Sequence, residues 1–335
     1  SGANGVVLIT TKRGKNQKLK LDFNTSLTVS QVWKKMSVLD GSQFKDLAIE
    51  MGETSDPVFW DKYNLNTDWQ KEIFRNALSQ NYQLSATGGT QKTTYYFSGS
   101  WVDQNGIVLN NSVKRATFKA NVDHQVNKVL KIGTSLSYDN WKDVSVAEND
   151  RNGVITRLYT TIPNIGIRDP DEPEAYARSP FINDLENPVS TVYQPEQLFV
   201  NDRLHGNAYM EAEVIKGLKL KSLFGFESTV GKFKSFQDSV QTRWGKSNAG
   251  IASESNYDYQ YWVSENTANY NRKIQEHNIA LMAGFIVSRE TTDNNYKTSK
   301  DFSLASNGNT DVGSGRVQSP VIPYYVRKSH MSYIG

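Results

Sequence analysis

Chemistry has few places to sit in this chain. The densest group of carboxylates is Asp169-Pro170-Asp171-Glu172-Pro173-Glu174. Hard oxygen ligands at such short spacing suit Ca²⁺, with Asp169, Asp171 and Glu172 as donors. The same residues also read as a Pro-punctuated solvated loop. As a catalytic pair for glycoside cleavage they are poorly placed, because that reaction needs two carboxylates fixed on either side of the substrate and a mobile loop holds them badly. The histidines (His124, His205, His277, His330) are scattered without zinc-hydrolase spacing. No nucleophile elbow, phosphate loop or dinucleotide fingerprint occurs. The absence of Cys removes thiol catalysis, Cys-zinc sites and disulfides. The residues therefore point away from an enzyme, and Ca²⁺ at the acidic cluster is the one cofactor they suggest.

Aromatic residues form the second set. Trp60 and Trp69 fall in a first long loop, Tyr159, Tyr176 and Tyr193 in a second, and Trp244 in a third. Flat rings stack on sugars or hold peptide side chains, which suits ligand binding; equally, they pack loops together. Trp101, Trp141 and Trp262 lie at strand ends, where Trp and Tyr form the interfacial girdle of a membrane barrel.

The elements that carry these residues have a period of two. Leu19, Leu21, Phe23, Thr25, Leu27 and Val29 alternate with Lys18, Lys20, Asp22, Asn24, Ser26 and Thr28, the pattern of a strand with one apolar and one polar face. The same reading holds at 83–86, 94–101, 116–122, 130–138, 209–214, 218–226, 257–263 and 279–287. Short connections (87–90, 125–127, 216–217, 271–276) take turns with long ones (34–81, 143–201, 231–256, 291–331), with Asp103-Gln104-Asn105-Gly106 as a compact tip. Short turns on one side and long loops on the other are the mark of an up-and-down antiparallel barrel in an outer membrane. A soluble sandwich follows no such rule.

Two helices are expected in the first long loop. Phe44, Leu47, Ala48 and Met51 form a stripe after a capping box of Asp40 and Gln43, with Gly52 as the stop. Trp69, Ile73 and Ala77 form another, with Thr67 and Gln70 at capping-box spacing. The run Gly5–Lys12 is apolar on both faces, as in a strand buried on both sides, and breaks into a flexible basic link, Arg13-Gly14-Lys15-Asn16. Charge is nearly balanced, 38 Lys plus Arg against 35 Asp plus Glu, so no basic excess supports nucleic-acid binding. Mean hydropathy is −0.59 and no apolar stretch is long enough for a spanning helix; neither fact bears on a barrel, whose faces alternate. The chain opens without Met or signal peptide and stops at what reads as the start of a strand, so a piece of a longer protein is expected.

Several motifs then occur in a recognisable order. Gly2-Ala3-Asn4-Gly5-Val6-Val7-Leu8-Ile9-Thr10-Thr11-Lys12-Arg13-Gly14 resembles the end of the plug domain of SusC/RagA-type TonB-dependent outer-membrane transporters. Thr67-Asp68-Trp69-Gln70 with Glu72-Ile73-Phe74-Arg75 resembles the approach to their second barrel strand, and Ser85–Thr90 with Thr93–Tyr96 the following turn and strand. Asp103–Val108 is similar to the next hairpin, Lys131-Ile132-Gly133 to a later strand start, and Gly217–Leu220 is a weaker echo.

The resemblance implies an all-β fold, a partial antiparallel transmembrane β-barrel of about nine or ten strands out of about 22, with long extracellular loops and a remnant plug strand. Residues 1–14 would be the C-terminal end of the plug and its junction, and 15–335 the first part of the barrel. It further implies a place in the outer membrane, surrounded by its lipid, and TonB-dependent import of oligosaccharides or peptides. The partners would be a SusD-like lipoprotein and, through the missing N-terminal part, TonB. Because open sheet edges are not tolerated in lipid, such a piece should not insert or transport alone. The alternative is a secreted β-rich adhesin or glycan-binding module.

Overall fold

We describe a computed structural model of the chain, covering residues 11–148, 153–181, 186–302 and 311–334. The opening run at 1–10 lies outside these residues. Eleven strands form one antiparallel sheet: β1 (Lys20–Ser30), β2 (Ala77–Gly89), β3 (Thr93–Asn105), β4 (Ser112–Gln125), β5 (Leu130–Val144), β6 (Glu196–Ile215), β7 (Leu218–Gln237), β8 (Ile251–Ile274), β9 (His277–Lys300), the two-residue β10 (Val317–Gln318) and β11 (Ile322–Ile334). Each pairs with the next through β9, and both β10 and β11 pair with β9. Among the described residues the sheet is open, a partial barrel wall ending at β1 on one side and β11 on the other.

Register keeps one chemistry on each face. Phe23 lies opposite Leu84, Tyr82 opposite Trp101, Gly99 opposite Phe118, and Phe118 opposite Tyr138. The row continues through Leu204, Phe226, Trp262 and the alternation of Leu281, Ala283, Phe285 and Val287. These side chains are turned outward and uncovered: Phe23 is 64 % exposed, Val29 70 % and Leu281 63 %. The opposite face carries Gln83, Ser98, Asn121, Ser137, Asp139 and His205 around a concavity of about 500 Å³. Slipping any strand by one residue would exchange the two faces, so the pattern itself fixes register.

Strands β6 to β9 are 20 to 24 residues long, well beyond the alternating stretches. In the extensions of β8 and β9 polar residues occupy both faces, so the period of two loses its apolar signal there. The ladder continues as side-chain rungs: Asn256 Nδ2 donates to Asn295 Oδ1 at 3.2 Å and Ser255 Oγ to Asn294 Oδ1 at 3.1 Å. The long connections accordingly shrink from those expected, to 31–76, 145–195, 238–250 and 301–321. The tip between β3 and β4 also differs. Asn105 is still in β3, and the left-handed residue of the turn is Asn110, with φ 55°.

Six short helices lie among the described residues, none long enough to cross a membrane. Helix α1 (Gly41–Glu50) has the expected capping box: Gln43 N–H donates to Asp40 Oδ1 at 2.9 Å, and Asp40 N–H to Gln43 Oε1 at 3.1 Å. Helix α2 (Pro57–Lys62) carries no strong apolar stripe and is marked only by Asp56 as cap and Pro57 at its start. Helix α3 (Trp69–Ile73) is a single turn capped by Asp68 instead of Thr67, and Ala77 already belongs to β2. Thr67 Oγ1 is used elsewhere, donating to Ile165 O at 2.6 Å, and Gln70 exchanges two hydrogen bonds with the Met36 backbone. Helices α4 (Val154–Thr160) and α5 (Pro188–Tyr193) stand in the second long loop and α6 (Arg243–Ser247) in the third.

Candidate functional site

The long-loop rim is capped. Apolar residues of three connections interlock: Trp69 and Ile73 from 31–76, Val108 from the short tip, and Val154, Leu158, Ile162, Ile165 and Val192 from 145–195. Side chain to backbone bonds hold the seams. Trp69 Nε1–H donates to Ile162 O at 3.0 Å, Asn164 Nδ2 to Gly41 O at 2.9 Å, and Asn110 Nδ2 to Val192 O at 2.9 Å. Asn187, fully buried, donates to Ile167 O and Ala177 O and accepts from Val189 N–H and Ser190 N–H. A buried amide satisfied on all sides fixes a loop as firmly as a strand does.

The six loop aromatics divide into two groups of three. Trp60, Trp69 and Tyr176 are buried, at 2 %, 4 % and 4 % exposure. Trp60 packs on Phe59 and Phe181 and donates its Nε1–H to Thr54 O at 2.8 Å. Tyr176 lies under the Arg168 guanidinium at 4.1 Å, and burial pushes its hydroxyl above the ordinary tyrosine value while Arg168 pulls the other way. These three rings are packing residues, because their faces are already covered. Tyr159, Tyr193 and Trp244 remain exposed. Tyr193 opens onto a cavity of about 300 Å³ lined by Asn110, Lys142, Glu196, Lys234 and Glu254. Of the residues expected at strand ends, Trp101 and Trp262 do face outward. Trp141 does not. It stands on the inner face beneath the Arg115 guanidinium, 5.2 Å from its ring centre, because the outward positions of β5 are the even-numbered ones.

The acidic segment is clasped by lysines from its neighbours. Lys62 Nζ bonds Asp171 Oδ2 at 2.6 Å, which raises the lysine's pKa, and Lys246 pairs with Glu172. Asp169 Oδ1 accepts from the backbone N–H of Asp171 at 2.9 Å, closing a local turn. Asp171 and Glu172, two of the three residues expected to suit Ca²⁺, thus each face an ammonium and form an inter-loop clasp. No group of three His, Asp or Glu placed to hold a metal ion occurs among the described residues.

The short-turn end of the inner wall holds a cluster that the residue pattern did not single out. Arg13 Nη1 lies 3.2 Å from Asp123 Oδ1, and Tyr209 O–H donates to the same oxygen at 2.5 Å. The Tyr209 ring leans across Gly133, where a Cβ would stand 2.4 Å from both Tyr209 Cε1 and Asp123 Oδ1. The signal was a glycine one strand from an inward tyrosine, which is visible only once register is known.

No family model matches the chain. It is 29 % identical over 313 residues to TonB-dependent receptor P3 of Formosa agariphila, covering 90 % of this chain and 30 % of that protein. It is 36 % identical over 121 residues to TonB-dependent receptor SusC of Bacteroides thetaiotaomicron, covering 36 % of this chain and 12 % of SusC. A solved structure of the RagAB peptide transporter superposes with a TM-score of 0.80 at 20 % identity, over 96 % of this chain and 40 % of that one. The chain is thus similar in sequence to TonB-dependent receptors, SusC among them, and in fold to the RagAB transporter. It corresponds to a part of them, spanning about 30 % of the length of the Formosa receptor. The open antiparallel sheet shares its fold with part of the barrel of that transporter.

Proposed function

We propose that this chain is the first part of the barrel of an outer-membrane importer, in which nutrients are captured at the capped rim and pass along the polar inner wall when TonB pulls on the plug. The observation that carries this reading is the division of one sheet into an outward apolar face and an inward polar one, with every long connection gathered at one rim. Hydrocarbon outside and water inside is the environment that such a wall fits. Residues 1–14 are read as the end of the plug and its junction, and 15–335 as barrel. The mechanism is gated transport without covalent chemistry, driven by contacts that differ between open and closed states.

Tyr159, Tyr193 and Trp244 are the ligand-facing rings in this reading, and Trp60, Trp69 and Tyr176 the packing behind them. The 31–76 and 145–195 loops would meet a SusD-like lipoprotein. Oligosaccharides and peptides are the two substrate classes, and the likeness to a peptide transporter favours peptides first.

The experiment is deletion of the complete gene in its own bacterium, with uptake of defined glycans and peptides measured and the product located by membrane fractionation. Loss of uptake of one class, with the protein in the outer membrane, supports the proposal. A secreted product whose loss removes adhesion and leaves uptake intact would replace it with the adhesin.

A further inference from the structure

The segment 11–14 lies against the wall as a fitted part instead of a loose link. Buried Asn121 donates its Nδ2 to Lys12 O at 2.9 Å. Gly14 approaches β3 so closely that a Cβ would stand 2.2 Å from Tyr95 N, so no other residue fits there without displacing backbone. Between them Arg13 meets Asp123, whose side chain is only 11 % exposed. The Asp123 carboxylate is aimed by the Tyr209 hydroxyl, and the Tyr209 ring is in turn flanked by Arg13, Lys131 and Lys221 at 5.9, 5.8 and 5.0 Å. Glu211 stands between Lys131 and Lys221 in the ladder, which leaves Arg13 as the cation that Asp123 serves.

We propose that Asp123 and Tyr209 form a latch for Arg13 that keeps the junction seated on the inner wall throughout transport, so that the plug rearranges about this point and not by releasing it. This rests on the reading of residues 1–14 as the end of the plug. The physical case is that opening removes from Asp123, 11 % exposed with the segment seated, its charged partner and leaves it only the Tyr209 hydroxyl, while the segment also gives up the Asn121 bond. Tyr209 is a positioning residue: it orients Asp123 and does not itself bind Arg13 by hydrogen bond.

The test uses the complete protein in outer membranes, with trypsin supplied from the short-turn side and cleavage after Lys12 and Arg13 followed beside uptake. Asp123→Asn should raise the cleavage rate by about tenfold, because protease sees the locally opened form, and lower uptake several-fold; Asp123→Glu should restore most of both. Tyr209→Phe should have a smaller effect in the same direction. Unchanged cleavage in Asp123→Asn would overturn the latch. The chain has no Cys, so Arg13→Cys with Asp123→Cys can be joined by a short cleavable thiol bridge. Bridging should return uptake to near that of the unaltered protein. Uptake blocked by the bridge and restored on cutting it would show that the segment must let go, and the proposal fails. If the unaltered protein imports nothing, the functional reading fails instead, and trypsin still reports whether Arg13 is held.

Discussion

Trp69 and Phe23 are both large apolar residues, yet one is 4 % exposed in the cap and the other 64 % exposed on the wall. The cap is folded against water. Its rings and aliphatic chains are buried together, the Trp69 indole and the Asn187 amide are hydrogen-bonded, and ion pairs such as Lys62 with Asp171 stand outside as clasps. The wall does the reverse, hiding polar side chains on its concave side and presenting Leu21, Phe23, Leu27 and Val29 to whatever surrounds it. A continuous apolar surface of that kind calls for a partner or a membrane. One chain thus contains two solvent regimes, separated by where each strand outgrows its apolar stretch.

The contrast can be broken at its strongest point first. Trp69→Ala in the complete protein should cost the cap about 3–5 kcal/mol, the range for truncating a buried aromatic. It should appear as rapid proteolysis of the long loops, while the barrel keeps its resistance to unfolding in detergent; loss of both together would show that cap and wall are one cooperative unit. On the wall, Phe224→Arg places a charge in the outward apolar band, at an exposed position beside the Trp262 ring. Folding into lipid vesicles should weaken by about 2–4 kcal/mol, as for a cationic side chain near the bilayer midplane. An effect near zero would mean that this face does not meet hydrocarbon.

Smaller effects sharpen the picture. Gly133→Ala forces the Tyr209 ring off its seat and should cost about 1–3 kcal/mol, whereas Gly99→Ala, where a Cβ meets nothing within 4 Å, should be close to neutral. Equal stabilities in a denaturant titration would remove the close packing we assign to Tyr209. The smallest effect concerns pH. Burial holds the Tyr176 hydroxyl above the ordinary value of 10.0, so its contribution to cap stability is fully present below that value and is lost as pH rises through the raised one. Tyr176→Phe should flatten the alkaline fall in cap protection; a fall of unchanged steepness would place its cause elsewhere.

Legibility followed the same division. Where one face of a strand is apolar and the other polar, as at Leu19–Val29 and Ile279–Val287, alternation alone locates the strand. It fails in the long-loop halves of β8 and β9, where polar residues, Asn, Ser and Thr foremost, occupy both faces and side-chain hydrogen bonds accompany the ladder. The α1 cap was readable because Asp40 and Gln43 satisfy each other within one turn. The α3 cap was not, because Thr67 is drawn to Ile165, nearly a hundred residues away in sequence. The candidate site was legible as a list of loop aromatics, and no spacing rule could say which of them were covered. Trp60 and Trp244 look alike in sequence; Phe59 and Phe181 bury one, and the other stands free.

By itself the sequence determined the antiparallel wall, the chemistry of its two faces and the rim at which the long connections gather, since each depends on neighbours within a few residues. Which aromatics pack, which lysines clasp the acidic segment, and how Arg13, Asp123 and Tyr209 come together were decided by tertiary structure. Those contacts join residues tens to more than a hundred positions apart, and their partners are set by register and loop packing, which no local period encodes.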